Sequence, residues 1–366
     1  MEYNDSKWNI FFIIGGVFML CALIMAGGKG TRFWPLSTVE KPKQFLNLIG
    51  NSTMIQMTVD RIRRIIPIER IFICTNEQYV HFIKSQIIDI PERNIIIEPE
   101  GRNTSACIAL SSFYIRRYFK SSRMLVLPSD HLINNEKEFL NIVDECDNYL
   151  RNNEENIITL GIKPTSAETG YGYIRFDKSN KKKHKFFRVS SFVEKPELKK
   201  AKEYINCGNY LWNCGIFMWK TEFILENIKK HIPNTYEILK SIEAINDYDD
   251  IYKYLSCNYK YCDDISIDYA VLEKSKNIKV IKCDFGWDDI GTWNAVERYM
   301  KKDKDFNIID GNISMIDSRN NILISNNKNK IVTYGIEGLV CLDTNGLIVI
   351  TTKDRIEEIS KIREII

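Results

Sequence analysis

The stretch that decides the fold is Leu23–Pro35, LIMAGGKGTRFWP, followed after a short gap by Lys41–Phe45, KPKQF. An apolar run without polar interruption is typical of a buried strand, and this one leads into glycines and then into two separated cations. Glycines let the backbone approach a phosphate closely because no Cβ shields the N–H groups. The pattern therefore predicts a strand ending in a phosphate-binding loop, with Arg32 and Lys43 placed to neutralise the bound anion.

Two common phosphate-binding loops do not fit this stretch. The Walker pattern requires Gly-Lys followed by Ser or Thr, whereas this chain has Gly28-Lys29-Gly30. The dinucleotide fingerprint requires a third small residue, and Phe33 occupies that place. The loop therefore belongs to another class of nucleotide site.

Composition and charge limit the class of protein further. A length of 366 residues suits one large domain and a small one. The net charge of +3 is spread along the chain, so nothing indicates a nucleic-acid partner. The 10 cysteines include no Cys-x-x-Cys pair, and several lie in apolar runs, where a thiol behaves as a small hydrophobic group. We therefore expect a reduced, cytoplasmic protein without structural zinc.

The N-terminal segment needs a separate interpretation. Asn9–Met25 is nearly all apolar and superficially resembles a signal peptide. Its second half, however, is the predicted first strand of the nucleotide site, so cleavage or membrane insertion would destroy that site. We expect residues 1–18 to be a non-native leader or a disordered extension, the native chain to begin at Met19, and a membrane role to be absent.

The opening stretch resembles the signature of the nucleotide-sugar pyrophosphorylases. Trp34–Ser37, WPLS, and Pro42–Phe45, PKQF, narrow the resemblance to the mannose-1-phosphate guanylyltransferase family. Further segments that match this family follow in the same order, so the resemblance extends from about Leu23 to the end of the chain. It implies a Rossmann-like α/β nucleotidyltransferase domain, similar to glycosyltransferase A folds and built on a mixed sheet, over residues 19–304.

The composition changes from about Asp305 onward. Short strands alternate with turns rich in Asn, Asp and Gly, a spacing that predicts a small β-roll or left-handed β-helix-like domain over residues 305–366. No catalytic motif occurs in it. Many members of the family use this domain for dimer contacts, so the resemblance implies a homodimer. It also implies the short form of the family, without an isomerase domain.

The resemblance extends the nucleotide site beyond the glycine loop to the segment Pro99–Ser105 and to Ser129. Pro99–Ser105 is a glycine turn that runs into a helix, where N–H and hydroxyl donors accumulate. By itself this segment fits a capped helix equally well. The residues that the resemblance places against the nucleotide are Ala26, Gly27, Gly28, Gly30, Thr31, Arg102, Asn103, Thr104 and Ser129.

Two acidic positions are candidates for a metal site. Met124–His131 is an apolar strand ending in Asp130, at the sheet edge where open α/β folds bind ligands, although a helix N-cap would give the same pattern. Asp288 and Asp289 are adjacent and point to opposite sides of an extended chain, so one of them can reach a shared metal. The resemblance selects Asp289 and leaves Asp288 facing solvent or supporting its neighbour. The expected cofactor is Mg²⁺, which prefers oxygen ligands; His131 receives no role.

A third group of residues is expected to bind the sugar phosphate. Taken alone, the glycines beside Tyr171 fit a bulged strand, Glu194-Lys195 fits an exposed ion pair, and Asn213 fits a turn. Asp268 fits a helix N-terminus as well as a supporting role in the site. The resemblance places the sugar-phosphate pocket at Gly170, Tyr171, Gly172, Glu194, Lys195 and Asn213.

The reaction implied by the resemblance is GMP transfer from GTP to α-D-mannose 1-phosphate, with release of pyrophosphate. The attacking phosphate is already an anion at neutral pH, because its second pKa is about 6. An Mg²⁺-dependent in-line displacement then needs positioning and charge stabilisation rather than a base or a covalent intermediate. Arg32 and Lys43 are the expected catalytic residues.

Two alternative functions remain open at this stage. The same chemistry could use another nucleoside triphosphate and sugar 1-phosphate, because base choice rests on a few hydrogen bonds that spacing does not reveal. The chain could also be a non-catalytic regulatory subunit that binds nucleotide sugar. Such subunits usually lose the charged residues of the site, and this chain keeps Arg32, Lys43, Asp130, Lys195 and Asp289.

Overall fold

The computed structural model describes residues 19–178, 185–328, 330–344 and 346–364. The segment interpreted as a leader, residues 1–18, lies outside the described residues. Among the described residues, no helix combines the length and the apolar character required to cross a membrane.

Strands and helices alternate up to residue 299, and short strands follow. The strands are β1 Met19–Met25, β2 Ile71–Asn76, β3 Ile95–Glu98, β4 Ser122–Pro128, β5 Leu132–Ile133, β6 Ile157–Ile162, β7 Gly172–Phe176, β8 Phe186–Val193, β9 Tyr210–Lys220, β10 Ile278–Cys283, β11 Trp287–Asp288, β12 Ile308–Asp310, β13 Ile313–Ile316, β14 Ile322–Ser325, β15 Ile331–Tyr334, β16 Leu339–Thr344 and β17 Leu347–Thr352. The α-helices are α1 Met54–Ile62, α2 Val80–Gln86, α3 Asn103–Tyr118, α4 Glu136–Arg151, α5 Leu198–Cys207, α6 Thr221–His231, α7 Pro233–Leu239, α8 Tyr248–Asn258 and α9 Trp293–Tyr299.

The main sheet is mixed, in the order β3-β2-β1-β4-β9-β6-β10-β8-β7. Strands β1 to β4 run parallel, and β9 lies antiparallel to both β4 and β6. Apolar layers cover both faces of β1: Ala22 and Ile24 lie in one layer, Cys21 and Leu23 in the other. Burial on both faces explains why this strand is an unbroken apolar run rather than an alternating one. The expected mixed α/β fold is confirmed.

The topology gathers several loops at one edge of the sheet. Because β1 to β4 are parallel, their carboxyl ends all lie at the same edge, where ligands bind in open α/β folds. The glycine loop follows β1, and Asp130 follows β4. Farther along the sheet, Gly172 of β7 lies opposite Asn213 of β9. Motifs that are distant in sequence therefore line one continuous edge.

The C-terminal part is rich in strands, as expected. β12, β14 and β16 pair in parallel, as do β13 and β15, and β17 adds an antiparallel strand. Parallel pairing of successive strands is the arrangement of stacked coils rather than hairpins. A 3-10 helix, Lys353–Glu364, follows. Buried side chains of these strands share an apolar cluster with Phe33 and Trp293, so this part packs against the segment after the glycine loop.

Candidate active site

The carboxyl edge of the sheet opens into a cavity of about 730 Å³. A second cavity of about 340 Å³ adjoins it and shares Arg32, His131 and Asp289 with the first. The order of the strands in the sheet determines which residues lie in each part of the cleft. Glu98 of β3 lies at one end, the glycine loop is central, and Asn213 of β9 lies toward the other end.

The two halves of the opening motif form one structural unit. Gly30 has a φ of +44°, and a Cβ there would lie 2.7 Å from the backbone nitrogen of Lys43. That nitrogen donates a hydrogen bond of 3.2 Å to the Gly30 carbonyl. The Gln44 amide donates to the carbonyls of Ala26 and Gly28, at 3.1 and 2.8 Å. Only glycine fits this turn without strain, and the contacts hold the loop against the KPKQF segment.

Lys43 is the centre of the charged cluster. Its side chain is buried, and its ammonium nitrogen lies 2.9 Å from Asp130 Oδ2 and 2.5 Å from the Asp289 carbonyl oxygen. Burial alone would raise the pKa of Asp130, but the charge of Lys43 and the hydrogen bond from Lys43 lower it overall. Asp130 is therefore a carboxylate, and it faces the smaller cavity together with Arg32.

Asp289 is oriented by two donors. Its Oδ1 accepts hydrogen bonds from the Tyr171 hydroxyl at 2.9 Å and from the Gly291 nitrogen at 3.1 Å. Burial, followed by the neighbouring Asp289, raises the pKa of Tyr171, so this hydroxyl stays protonated and donates. Asp130 and Asp289 thus offer oxygen ligands beside the place where the Lys43 ammonium lies. That donor set suits a hard divalent cation.

Asp288 plays a structural part, and the alternative that it faces solvent is wrong. Its carboxylate is buried and accepts from Arg298 at 2.5 Å, from the Tyr299 hydroxyl at 3.1 Å and from the Ile290 nitrogen at 2.8 Å. These bonds fix the turn that presents Asp289. The adjacent carboxylates therefore point in different directions, as the extended backbone requires.

Gly172 brings Glu194 to the wall of the larger cavity. A Cβ on Gly172 would lie 2.5 Å from Glu194 Oε2, so only glycine leaves room for that carboxylate. Glu194 forms an ion pair of 3.2 Å with Lys195, whose φ of +44° is in the left-handed region. Such a backbone is strained for a residue with a side chain and is often found at functional sites. Gly170 and Tyr171 line the same cavity.

Asp268 orients Asn213 at the same end of the cleft. Asn213 Nδ2 donates to Asp268 Oδ1 at 2.7 Å, and Asn213 Oδ1 accepts from the Gly215 nitrogen at 3.2 Å. Burial, the largest cause, raises the pKa of Asp268 to about 6. Asp268 lines the cavity itself, so the structure favours the supporting role that the sequence left open.

The expected nucleotide residues divide into three groups. Gly30 and Thr31 line the smaller cavity, and five others line the larger one. Ala26 and Ser129 are buried behind the cleft instead, where the Ala26 carbonyl accepts from Thr75 and the Ser129 carbonyl accepts from Thr58. The residues lining the larger cavity are Gly27, Gly28, Arg102, Asn103 and Thr104.

Sequence reasoning missed two polar residues at the β2–β3 end of the cleft. Glu98 is 4% exposed, and its Oε1 accepts from the Tyr259 hydroxyl at 2.5 Å. Asn76 donates from Nδ2 to the Gly27 carbonyl at 3.3 Å, and its buried Oδ1 has no hydrogen-bond partner among the described residues. Both acceptors lie beside Gly27, with Glu98 Oε2 3.1 Å and Asn76 Oδ1 3.4 Å from where its Cβ would be. The sequence feature that could have identified them is the polar residue at the end of each apolar strand.

His131 lines both cavities although it was given no role. Its Nδ1 accepts a hydrogen bond of 3.1 Å from the Trp287 indole nitrogen. Burial lowers the pKa of His131, so the imidazole is neutral and carries its proton on the other nitrogen.

A glycine loop, two cations and two carboxylates at the carboxyl edge of a mixed sheet together define a nucleotidyltransferase. The chain belongs to the nucleotidyl transferase family, whose model matches residues 21–305. Divalent metal ions are generally used by this family.

The relatives narrow the comparison and confirm the resemblance seen in the motifs. Mannose-1-phosphate guanylyltransferase of Klebsiella pneumoniae is 34% identical over 94% of this chain and 73% of its own length. The alginate biosynthesis protein AlgA of Pseudomonas putida is 32% identical over 94% of this chain and 70% of its own length. A solved structure described as mannose-1-phosphate geranyltransferase from Thermus thermophilus is 29% identical, covers 95% of this chain and 100% of its own, and has a TM-score of 0.81.

Proposed function

We propose that the protein transfers GMP from GTP to α-D-mannose 1-phosphate and releases pyrophosphate. The observation that carries the proposal is the cluster around Lys43, which contacts Asp130 and Asp289 directly beside the glycine loop. A triphosphate and a sugar phosphate are both polyanions, and this cluster supplies the cations and oriented N–H groups that they require. The names of the relatives support GTP and mannose 1-phosphate as the substrate pair.

The displacement needs little covalent assistance from the protein. A phosphate oxygen of mannose 1-phosphate attacks the α-phosphorus of GTP, and the bond from that phosphorus to the bridging oxygen breaks. The bonding electrons leave with pyrophosphate, and no proton has to move because the attacking phosphate is an anion. Arg32 and Lys43 stabilise the charge that accumulates on the leaving group, while the backbone around Gly27, Gly28 and Gly30 positions the triphosphate.

The divalent ion is proposed to be Mg²⁺, held by Asp130 and Asp289. When bound, Mg²⁺ neutralises phosphate charge and keeps part of its water shell, because it is reluctant to dehydrate. The oriented carboxylate of Asp289 and the ionised carboxylate of Asp130 suit that preference.

The sugar phosphate is proposed to bind at the β7–β9 end of the cleft. Lys195 would hold the phosphate, and Glu194 would accept sugar hydroxyl donors. Asp268 accepts one of the two side-chain N–H groups of Asn213, and the Gly215 nitrogen donates to one of the two lone pairs on its Oδ1. One N–H and one lone pair of Asn213 therefore remain for the sugar.

We further propose two domains, residues 19–304 and 305–366, and a homodimer. The resemblance implies the dimer, and exposed apolar side chains on the C-terminal strands support it. Multi-angle light scattering on the purified chain tests the dimer by its mass. The exposed residues are Val332, Tyr334, Ile348 and Ile350.

Pyrophosphate release tests the reaction. The full chain is incubated with Mg²⁺ and mannose 1-phosphate and, in parallel, with GTP, ATP, UTP, CTP or dTTP. Release with GTP alone is the expected result. Release with another nucleotide would keep the mechanism and overturn the substrate pair. Release with none of them, together with measurable GTP binding, would favour a regulatory subunit. Omitting the metal should abolish release.

A further inference from the structure

Three potential metal ligands meet beneath the β2–β3 end of the cleft. Cys74 lies on β2, Glu98 ends β3, and Cys107 lies in the first turns of α3. One ligand atom from each residue lies within 4.8 Å of the other two. All three side chains are at most 5% exposed. None of them belongs to the phosphate or sugar sites described above.

The upper limit of 4.8 Å on these separations leaves the ligand atoms near enough together for a zinc site. With Zn–S bonds of about 2.3 Å, two thiolates in a tetrahedral site lie roughly 3.8 Å apart. The three side chains start from rigid elements, two neighbouring parallel strands and a helix, so small side-chain rotations would bring the ligand atoms together. The Tyr259 hydroxyl donates to Glu98 Oε1 at 2.5 Å, which is the kind of supporting bond that orients a metal ligand.

The chemistry of the ligands distinguishes this cluster from the proposed Mg²⁺ site. Two thiols select a soft or borderline cation, whereas the Asp130–Asp289 pair offers only oxygen. Access is available because Glu98 and Cys107 line the larger cavity. Cysteine binds metal as the thiolate, so metal binding at two thiols must release protons.

We propose that Cys74, Glu98 and Cys107 form a zinc site at the wall of the nucleotide cavity, contrary to the expectation drawn from cysteine spacing alone. Zn²⁺ binds both sulfurs as thiolates and one oxygen of the ionised Glu98 carboxylate. Two protons pass from the thiols to solvent, and a third follows from Glu98 where that carboxyl is protonated. The fourth ligand comes from the cavity.

The binding test uses Co²⁺ as a spectroscopic substitute for Zn²⁺. The reduced full chain is titrated with Co²⁺ without oxygen, and thiolate-to-cobalt charge-transfer absorbance is followed. One equivalent should give the band in the wild type, and Zn²⁺ should displace it. Cys74→Ser and Cys107→Ser should each lose the band. Two control variants should keep it: Cys257→Ser, at an exposed cysteine, and Cys146→Ala, at a buried one outside the cluster.

Circular dichroism melts identify any variant that fails to fold, and Glu98→Gln then serves as a further test of the same site. A wild type without the band, or folded Cys74→Ser and Cys107→Ser variants that both keep it, would overturn the proposal.

Discussion

The Lys43 ammonium lies 2.9 Å from Asp130 Oδ2, although 87 residues separate the two in sequence. The contact joins the segment after β1 to the end of β4, two strands that are neighbours in the sheet. Lys43 is almost fully buried, and the Asp130 carboxylate compensates its charge in the absence of substrate. The ion pair also keeps a cation beside the glycine loop, where a triphosphate would bind.

Lys43→Ala should lower turnover by at least about a hundredfold, because it removes a cation that stabilises charge on the leaving pyrophosphate. Pyrophosphate release at saturating GTP measures the effect. The exposed Lys41 provides a matched control, and Lys41→Ala should stay within about threefold of wild type. Turnover of Lys43→Ala within a few-fold of wild type would remove Lys43 from its proposed role.

Asp130→Asn should also lower turnover by at least about a hundredfold while the protein remains folded. The amide keeps the size of the side chain but loses the negative charge that a divalent cation requires. Turnover measured across a range of Mg²⁺ concentrations should show no full recovery at high metal. Recovery to the wild-type rate at high Mg²⁺ would indicate that the substitution weakens metal binding but that turnover does not require Asp130.

Tyr171→Phe should raise the Mg²⁺ concentration needed for half-maximal turnover, by roughly tenfold. The substitution removes the hydroxyl that donates to Asp289 Oδ1 and leaves the ring in place. A hydrogen bond to a charged group contributes about 1.5–3 kcal/mol, which sets this scale. Tyr173→Phe is the control, because its hydroxyl bonds to a backbone carbonyl, that of Glu168. Equal metal dependence in both variants would contradict the orienting role of Tyr171.

Gly172→Ala should raise the KM for mannose 1-phosphate more than the KM for GTP. The new Cβ would lie 2.5 Å from Glu194 Oε2 and would push that carboxylate from the sugar end of the cleft. Gly170→Ala is the comparison, since a Cβ there meets nothing within 4 Å and should have the smaller effect. Steady-state kinetics with each substrate varied in turn measure the split. A larger effect from Gly170→Ala would contradict the prediction.

Glu98→Gln should flatten the pH dependence of stability below neutral pH. Burial raises the pKa of Glu98 from its ordinary 4.5 to about 7, so between these values the folded chain holds a proton that the unfolded chain has lost. The contribution of Glu98 to the free energy of unfolding therefore falls as pH rises from about 4.5 to 7 and stays level above that range. The slope is at most about 1.4 kcal/mol per pH unit for one proton. Urea melts at several pH values measure it, and an unchanged slope in the variant would count against a buried, titrating Glu98.

Local patterns were sufficient for much of the fold and for most of the cleft-lining residues. The apolar run before Gly27 predicts a doubly covered strand, and β1 is buried on both faces. Asp130 follows an apolar strand and therefore lies at the sheet edge. These inferences depend only on the neighbours of a residue along the chain. Ala26 and Ser129 carry the same local signal, yet they lie behind the cleft, because the pattern does not state which groups of a loop face the cavity.

Residues that act through distant partners could not be predicted from local patterns. The sequence left Asp288 either facing solvent or supporting its neighbour, and the structure shows that Arg298 and Tyr299 bind its carboxylate. Gln44 looked like part of a motif, and the structure shows that it braces the glycine loop. Each of these contacts joins a side chain to another segment of the chain. Local sequence patterns do not specify where that segment lies.

The sequence by itself determined the glycine loop, its two cations, the acidic strand ends and the family that they indicate. Each of these features is a short segment, and its behaviour follows from local backbone conformation and charge. Tertiary structure alone decided the contact of Lys43 with Asp130 and the meeting of Cys74, Glu98 and Cys107. The physical reason is the order of strands in the sheet. It places β3 beside β2 and β4 beside β1, and this pairing is selected by the packing of whole apolar layers rather than by any single segment.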